Sequence, residues 1–233
     1  DSLKALPLKL TYNRVDHKEG MATYFREYLR GVMTAPKPVK STYRGWQMQK
    51  YYEDSLAWET NPLYGWCAKN KKKDGTNYNV YTDGLKIYTT LNSHMQQYAE
   101  EAVEEHLSFL QPLFFKEKVG SKNAPYARSL PEKRVEELLT KAMKQTERYR
   151  LMKEAGASEQ QIRKAFDTPE EMTVFSWKGD KDTIMTPMDS IRYYKSFLRT
   201  GFMSMDPLNG HVKAYVGGPN YVYFQYDMAM VGR

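Results

Sequence analysis

Residues 202–218 have the sequence FMSMDPLNGHVKAYVGG, and this pattern predicts a β-hairpin. On the first arm Met203 and Met205 are predicted to share one face. On the second arm the alternate residues Val212, Ala214 and Val216 share a face. The predicted turn contains Asp206, Pro207, Asn209 and Gly210. Asp and Pro favour the start of a type I turn, and Asn-Gly tolerates positive φ. Periodicity alone is equally typical of any half-buried hairpin.

The composition is that of a folded protein. The 233 residues suffice for one large domain or two small ones, with 41% apolar and 27% charged residues. Cys67 is the single cysteine, so neither a disulfide framework nor a cysteine metal cluster is predicted. No apolar run approaches the roughly 20 residues that span a bilayer, and we expect any membrane anchor to lie outside this chain.

The formal net charge of +7 permits a nucleic-acid or anionic-surface partner. The cationic residues are nevertheless spread along the chain, and the densest cluster is Lys69–Lys73. A solvated hairpin tip is the favoured interpretation of this cluster. A phosphate or lipid-headgroup contact is the alternative.

Short elements are predicted before residue 83. They are an extended segment Leu6–Leu10, a helix near Met21–Val32, a helix within 41–60 anchored by Trp46, Tyr51 and Leu56, and strands Leu63–Lys69 and Asn77–Thr82. The lysine cluster would form the turn between the two strands.

A strand followed by a long helix is predicted over residues 83–110. Leu85–Leu91 alternates apolar and polar residues and is rich in β-branched side chains. Asn92 or Ser93 is expected to cap the helix, with Gln96 at capping-box spacing from Ser93. The apolar stripe of this helix comprises Met95, Tyr98, Ala99, Ala102, Val103, His106, Leu107 and Leu110.

Residues 111–200 are predicted to be mostly helical. The expected elements are a helix framed by Ser129 and Glu132 and ending near Gly156, a helix framed by Ser158 and Gln161, a strand Thr173–Trp177, and a helix from Thr186-Pro187 with Gly201 as C-cap. The inward side chains of the first helix are Val135, Leu138, Leu139, Ala142 and Met143.

Three stretches, taken in order, resemble class A penicillin-binding proteins. Met21–Arg30 resembles the helix that joins the two enzymatic domains of that family. Asp83–Val103 resembles the strand and helix that follow the glycosyltransferase domain. The hairpin of residues 202–218 resembles the first two strands of the transpeptidase sheet. Tyr221–Arg233 is similar to the approach to the serine-x-x-lysine motif, which we expect beyond this chain.

The resemblance implies an α+β chain with four segments. Residues 1–82 would be an inter-domain linker or pedestal, and 83–110 a strand and a long amphipathic helix. Residues 111–200 would be a mostly helical insert, and 201–233 the first, truncated hairpin of the transpeptidase domain.

No catalytic residue is assigned. The family's chemistry requires a serine activated by a lysine and an oxyanion hole, with serine-x-x-lysine, serine-x-asparagine and lysine-threonine-glycine motifs. No serine has a lysine three residues later, and no lysine-threonine-glycine occurs. Ser121-Lys122-Asn123 matches serine-x-asparagine but lies in a polar loop on the wrong side of the expected nucleophile. The acidic signature of a glycosyltransferase domain is also missing.

Other candidate sites have simpler interpretations. Helical spacing places four carboxylates opposite the apolar stripe, as a solvated face: Glu100, Glu101, Glu104 and Glu105. The four histidines lack metal-ligand spacing: His17, His94, His106 and His211. Gly217-Gly218 is not a phosphate loop, because no lysine and serine follow it. We therefore predict no metal and no cofactor.

The resemblance implies a part of a cell-wall synthase that polymerises and cross-links peptidoglycan on the outer side of the bacterial inner membrane. This part would position the glycosyltransferase and transpeptidase domains, its expected partners, with further envelope proteins possible. Self-association through the uncovered hairpin is a further prediction. The alternatives are a self-contained basic module that binds nucleic acid or an anionic surface, and a class B transpeptidase. The class B alternative agrees less well with residues 84–103.

Overall fold

A computed structural model describes residues 17–118, 120–121 and 123–230. These residues form two compact units. The first unit comprises the described residues up to Ala99 and those from Gly201 onward, and the second comprises Glu100–Thr200. The described residues contain eight α-helices and two antiparallel two-stranded sheets, so the predicted α+β class is confirmed. The boundaries of the four predicted segments remain predictions.

The first unit contains helices α1 (Thr23–Met33), α2 (Met48–Thr60) and α3 (Trp66–Lys69), and strands β3 (Phe202–Met205) and β4 (Val212–Val216). Two 3-10 turns, Lys40–Thr42 and Gly45–Gln47, precede α2. The predicted helix near Met21–Val32 is confirmed as α1. The predicted extended segment Leu6–Leu10 lies outside the described residues.

The second unit contains α5 (Glu132–Lys144), α6 (Glu147–Glu154), α7 (Glu159–Phe166), α8 (Pro187–Lys195), β1 (Glu170–Val174) and β2 (Lys181–Met185). Its apolar core is built on Met143, Ile162 and Phe166. Helix α4 (Ser93–Lys118) begins in the first unit, and the boundary between the units falls after Ala99.

The local signals of the second unit are largely confirmed. Ser158 and Gln161 form the predicted capping box of α7, and Thr186 caps α8 with Pro187 at its first position. The predicted helix to Gly156 is wrong in one respect, because Thr146 accepts a hydrogen bond from the Tyr149 N–H and starts a separate helix. The predicted strand Thr173–Trp177 overlaps β1 only in part, because β1 runs over Glu170–Val174. Its partner strand β2 was not predicted.

Three predicted strands are absent from the described residues. Leu63–Lys69 ends in the short helix α3, which Gly65 starts at φ 70° and which buries Cys67. Asn77–Thr82 makes only an isolated bridge to Lys71. Residues 85–91 are not in a ladder. Alternation of side chains predicts an extended backbone, but a strand also needs a hydrogen-bonded neighbour.

The predicted features of α2 and α4 are also partly wrong. Trp46 is 79% exposed and Leu56 is exposed, so neither anchors α2. Of the two predicted caps of α4, Asn92 is confirmed, because its Oδ1 accepts from the Met95 N–H at 3.1 Å. Helix α4 continues through Pro112 to Lys118 instead of ending near Leu110. Its buried positions are Gln96, Ala99, Leu107 and Gln111.

The terminal hairpin has the predicted turn and an irregularity in its pairing. Asp206 starts the turn, and Gly210 adopts φ 71°. Met203 pairs with Tyr215, Ser204 with Ala214 and Met205 with Val212. The extra residue, Lys213, therefore lies in β4, and the alternation that gives Met203 and Met205 a common face of β3 is uninterrupted. Gly201 is not the C-cap of α8, which ends at Lys195 and has Ser196 as its C-cap.

Candidate functional site

Strand β4 is the most enclosed strand of the first unit. Ala214, Tyr215 and Val216 are consecutive and all buried, so both faces of the strand are covered. Strand β3 pairs with one edge of β4. A two-stranded sheet leaves the other edge of β4 to be satisfied by groups outside the sheet.

Gln96 of α4 satisfies that edge. Its side chain is 1% exposed, and its Nε2 donates to the Tyr215 carbonyl at 2.8 Å. The Tyr215 N–H in turn donates to Gln96 Oε1 at 2.7 Å. One carboxamide thus provides the donor and the acceptor that a neighbouring strand would provide. Next to it, the Asn92 N–H donates to the Lys213 carbonyl at 2.9 Å.

Tyr24 of α1 lies against the glycine pair that follows β4. Its hydroxyl donates to the Phe224 carbonyl at 2.6 Å, and its ring is buried. A Cβ on Gly217 would lie 2.6 Å from Tyr24 Cδ1 and 2.6 Å from Asp227 Oδ1, and a Cβ on Gly218 would overlap the Tyr24 hydroxyl. Only glycine permits this approach of backbone and ring.

Asp227 ties the segment after the glycines back to β4. Its Oδ2 accepts from the Tyr215 hydroxyl at 2.6 Å, and its Oδ1 accepts from the Ala229 N–H at 2.9 Å. The Met228 N–H donates to the Gly217 carbonyl at 2.7 Å. Burial and the bond to Asp227 raise the pKa of Tyr215, so the hydroxyl remains a donor at physiological pH.

We call these residues the β4 clamp: Tyr24, Gln96, Tyr215, Gly217, Gly218 and Asp227. The clamp fixes the edge of β4 and the chain that follows it. Sequence reasoning missed Gln96, Tyr24 and Asp227. The sequence does contain a signal for the burial of Gln96, because this polar residue lies at helical spacing from apolar positions of α4. The paired glycines after an apolar strand are a signal that another part of the chain packs closely against the backbone there.

The lysine cluster is largely engaged within the chain. Lys69 Nζ donates to the Trp58 carbonyl at 2.5 Å and lies 4.8 Å from the Trp58 ring centroid. Lys71 donates to Asn77, and Lys72 pairs with Asp83 at 3.0 Å. These lysines therefore stabilise the loop in which they lie. Their internal contacts do not favour a binding site for a polyanion.

The serine-x-asparagine match lies in the loop between α4 and α5. The Asn123 side chain donates to the Leu130 carbonyl at 2.5 Å, and Ser121 Oγ is buried with no partner among the described residues. Asn123 thus has a structural role in the loop. In the part of the chain that the structure describes, no three His, Cys, Asp or Glu residues are grouped to hold a metal ion. No helix of the described chain is long and apolar enough to cross a membrane.

The second unit repeats the glutamine arrangement of the first. Gln111 of α4 is 1% exposed, its Nε2 donates to the Ser196 carbonyl at 2.9 Å, and its Oε1 accepts from the Leu198 N–H at 2.8 Å. Phe115, one turn later, packs edge-on against Phe197. These contacts hold the chain after α8 against α4.

Replacing Gln111 with alanine should destabilise the second unit by about 2 kcal/mol, because two backbone groups lose their buried partner. The control is Gln160→Ala, an exposed glutamine of α7, which should change stability by less than about 0.5 kcal/mol. Urea unfolding followed by hydrogen exchange of residues 132–198 measures both. Equal stability of the two variants would contradict the structural role of Gln111.

Comparison with known proteins finds a family match within the second unit. Residues 121–198 match the family model described as the penicillin-binding protein middle domain. This match supports a penicillin-binding protein fragment, and the predicted resemblance to penicillin-binding proteins is confirmed. The penicillin-binding protein family implies a cell-wall enzyme with an extracytoplasmic domain. No curated protein and no solved structure matches the chain significantly.

Proposed function

We propose that this chain is the non-catalytic part of a class A penicillin-binding protein, which positions the glycosyltransferase and transpeptidase domains. The observation that carries the proposal is the order of two features. The match to a penicillin-binding protein middle domain at residues 121–198 is followed directly by a hairpin whose sequence resembles the first two strands of the transpeptidase sheet. The Asp83–Val103 pattern supports class A over class B.

The β4 clamp gives this role a physical basis. Serine acyl transfer requires a nucleophile, a lysine and oxyanion donors held in fixed geometry, and a displacement of about 1 Å can cost about 100-fold in rate. In the family, the nucleophile follows the segment that here begins at Gly217. Tyr24 would hold Gly217 and Gly218 in place, and Gln96 would hold β4. Together these contacts would fix the position at which that segment begins.

The chemistry itself would belong to residues outside the described chain. A serine hydroxyl would attack the carbonyl carbon of a stem-peptide amide, or of the penicillin lactam, and its proton would pass to the neighbouring lysine. The C–N bond of that amide would break, and the leaving amine would take the proton. In cross-linking, an acceptor amine would then take the acyl group from the serine oxygen, which would recover its proton. The glycosyltransferase domain and a membrane anchor are likewise proposed for the whole protein, at the outer face of the inner membrane.

A penicillin adduct tests this proposal. The full-length gene product, incubated with fluorescent penicillin, should form one covalent adduct per molecule, on the serine of a serine-x-x-lysine motif beyond Arg233. The 233-residue chain alone should remain unlabelled. Intact-mass and peptide mass spectrometry locate the adduct. Stoichiometric labelling of the chain, or an unlabelled full-length protein, would contradict the proposal.

Self-association stays a prediction, and the surface available for it is smaller than the apolar hairpin face predicted from the sequence. Val216 is buried, so the predicted apolar face is not open along its whole length. The exposed apolar side chains of the hairpin belong to β3 and the turn: Phe202, Met203, Met205 and Leu208. The edge of β3 is therefore the surface through which association would occur.

A further inference from the structure

The second unit has a groove of about 550 Å³ that is lined by side chains of α5 and α7. Positions 133, 137, 141 and 144 of α5 recur at intervals of three and four, so they lie along one face of the helix. The charged side chains that line the groove are Lys133, Glu136, Glu137, Lys141, Lys144 and Arg163.

Three of these cations gather at one end of the groove. Lys141 and Lys144 lie in the last turn of α5, and Arg163 lies in the last turn of α7. The two helices are held together there because Ile162 of α7 packs with Met143 of α5 in the core of the unit. We call Lys141, Lys144 and Arg163 the cationic end.

The carboxylates nearest in sequence to the cationic end are bound elsewhere. Glu137 Oε2 accepts from Arg134 Nη1 at 2.8 Å. Glu159 Oε1 accepts from the Tyr149 hydroxyl at 2.6 Å and lies 2.9 Å from Lys153 Nζ. Within the described chain, no carboxylate forms an ion pair with the cationic end. Its positive charge is therefore available to an anionic group from outside.

Helix α2 of the first unit has a complementary surface. None of its 13 residues is buried. Tyr52 and Leu56 are 58% and 62% exposed, and Glu53 and Glu59 are exposed beside them. These four positions are three and four residues apart, so they form one stripe of the helix. We call them the acidic stripe.

The groove and the acidic stripe match in length and in chemistry. Helices α2 and α5 both have 13 residues, or about 20 Å. The lysine and arginine side chains carry their charges on alkyl stems, which can cover Tyr52 and Leu56 while the charged groups reach the carboxylates. Glu136 and Glu137 also line the groove, and they disfavour a uniformly charged polyanion.

We propose that the groove binds α2 of a second copy of this chain, with Glu53 and Glu59 at the cationic end. The contact joins two different surfaces, so it would continue head to tail from copy to copy. Exposed ion pairs contribute little individually, and we expect a dissociation constant of about 0.1 mM that rises with salt. The inference depends neither on the proposed function nor on association through the edge of β3.

Charge reversal tests this contact in sedimentation velocity of the 233-residue chain. At concentrations up to about 0.5 mM, the wild type should associate at low salt, and its association constant should fall at least about tenfold in 0.5 M NaCl. The variants Lys141→Glu, Lys144→Glu and Glu53→Lys, Glu59→Lys should each remain monomeric. The fourfold variant should associate again, because opposite charges face one another. Circular dichroism verifies that each variant is folded.

The control Lys178→Glu, Lys195→Glu makes the same charge change at exposed positions of the second unit outside the groove. It should associate like the wild type. Each lysine-to-glutamate change lowers the formal net charge by two, so the groove variant and the control both go from +7 to +3. Lower net charge reduces repulsion between copies, so it cannot explain a loss of association in the groove variant alone.

Three outcomes would overturn the proposal. A monomeric wild type at every concentration would leave the groove to an acidic segment of another protein. Association that survives both double reversals would assign the contact to another surface, such as the edge of β3. A folded fourfold variant that stays monomeric would show that the two surfaces do not face one another.

Discussion

Gly217→Ala is expected to destabilise the first unit by about 3 kcal/mol. The added Cβ would lie 2.6 Å from both Tyr24 Cδ1 and Asp227 Oδ1. The Tyr24 ring is buried and its hydroxyl is bonded to the Phe224 carbonyl, so neither neighbour can move without losing a contact. The methyl group must displace the backbone or the ring.

Gly31→Ala is the matched control for this substitution. Gly31 lies in α1 with no atom within 4 Å of a built Cβ, so alanine there should stabilise the helix by about 0.5–1 kcal/mol. Urea unfolding monitored by tryptophan fluorescence compares the variants, because Trp46, Trp58 and Trp66 lie in the first unit. A Gly217→Ala chain as stable as the wild type would contradict the described packing of Tyr24.

Gln96→Ala is expected to destabilise the first unit by about 3 kcal/mol. The substitution leaves the N–H and the C=O of Tyr215 buried without their partner, and each such group costs about 1–3 kcal/mol. The control is Gln225→Ala, an exposed glutamine in the same unit, which should have little effect. Indistinguishable unfolding midpoints for the two variants would contradict the role of Gln96.

Gln96→Glu separates the hydrogen bonds from the packing. An ionised carboxylate would face the Tyr215 carbonyl with an acceptor where the wild type has a donor, so burial and this contact should raise the pKa of the new carboxyl group. A raised pKa in the folded state means that stability is retained at low pH and lost as the pH rises through that pKa. We expect the free energy of unfolding of Gln96→Glu to approach the wild-type value near pH 4 and to fall furthest below it at pH 7.

Local chemistry accounts for the parts of the fold that the sequence predicts. The turn at Asp206–Gly210, the capping box of Ser158 and the stripe of α5 depend on residues within four positions of one another. The bulge at Ser204–Met205 and the missing ladder at 85–91 depend on neighbouring strands, which side-chain alternation does not specify.

The local signals at Gln96 and at the glycine pair do not specify their partners in the β4 clamp, because these partners lie far away in the sequence. Tyr24 and Phe224 are separated by 200 residues, and Gln96 and Tyr215 by 119. Capping-box spacing predicts a role at the start of the helix for Gln96, and the predicted helix ends before Gln111. Neither glutamine is therefore expected among the buried positions of α4. Two buried carboxamides, each bonded to backbone on both of its atoms, replace apolar residues in that stripe.

The central claim is that this chain positions a transpeptidase centre through the β4 clamp. Its most direct test is the second-order rate constant of penicillin acylation in the full-length protein, at a temperature where circular dichroism shows every variant to be folded. We expect Gln96→Ala to reduce this constant by at least about tenfold, because the segment that follows β4 loses its fixed origin. Gln225→Ala should leave it unchanged. Equal acylation rates for folded Gln96→Ala and wild-type protein would contradict the claim.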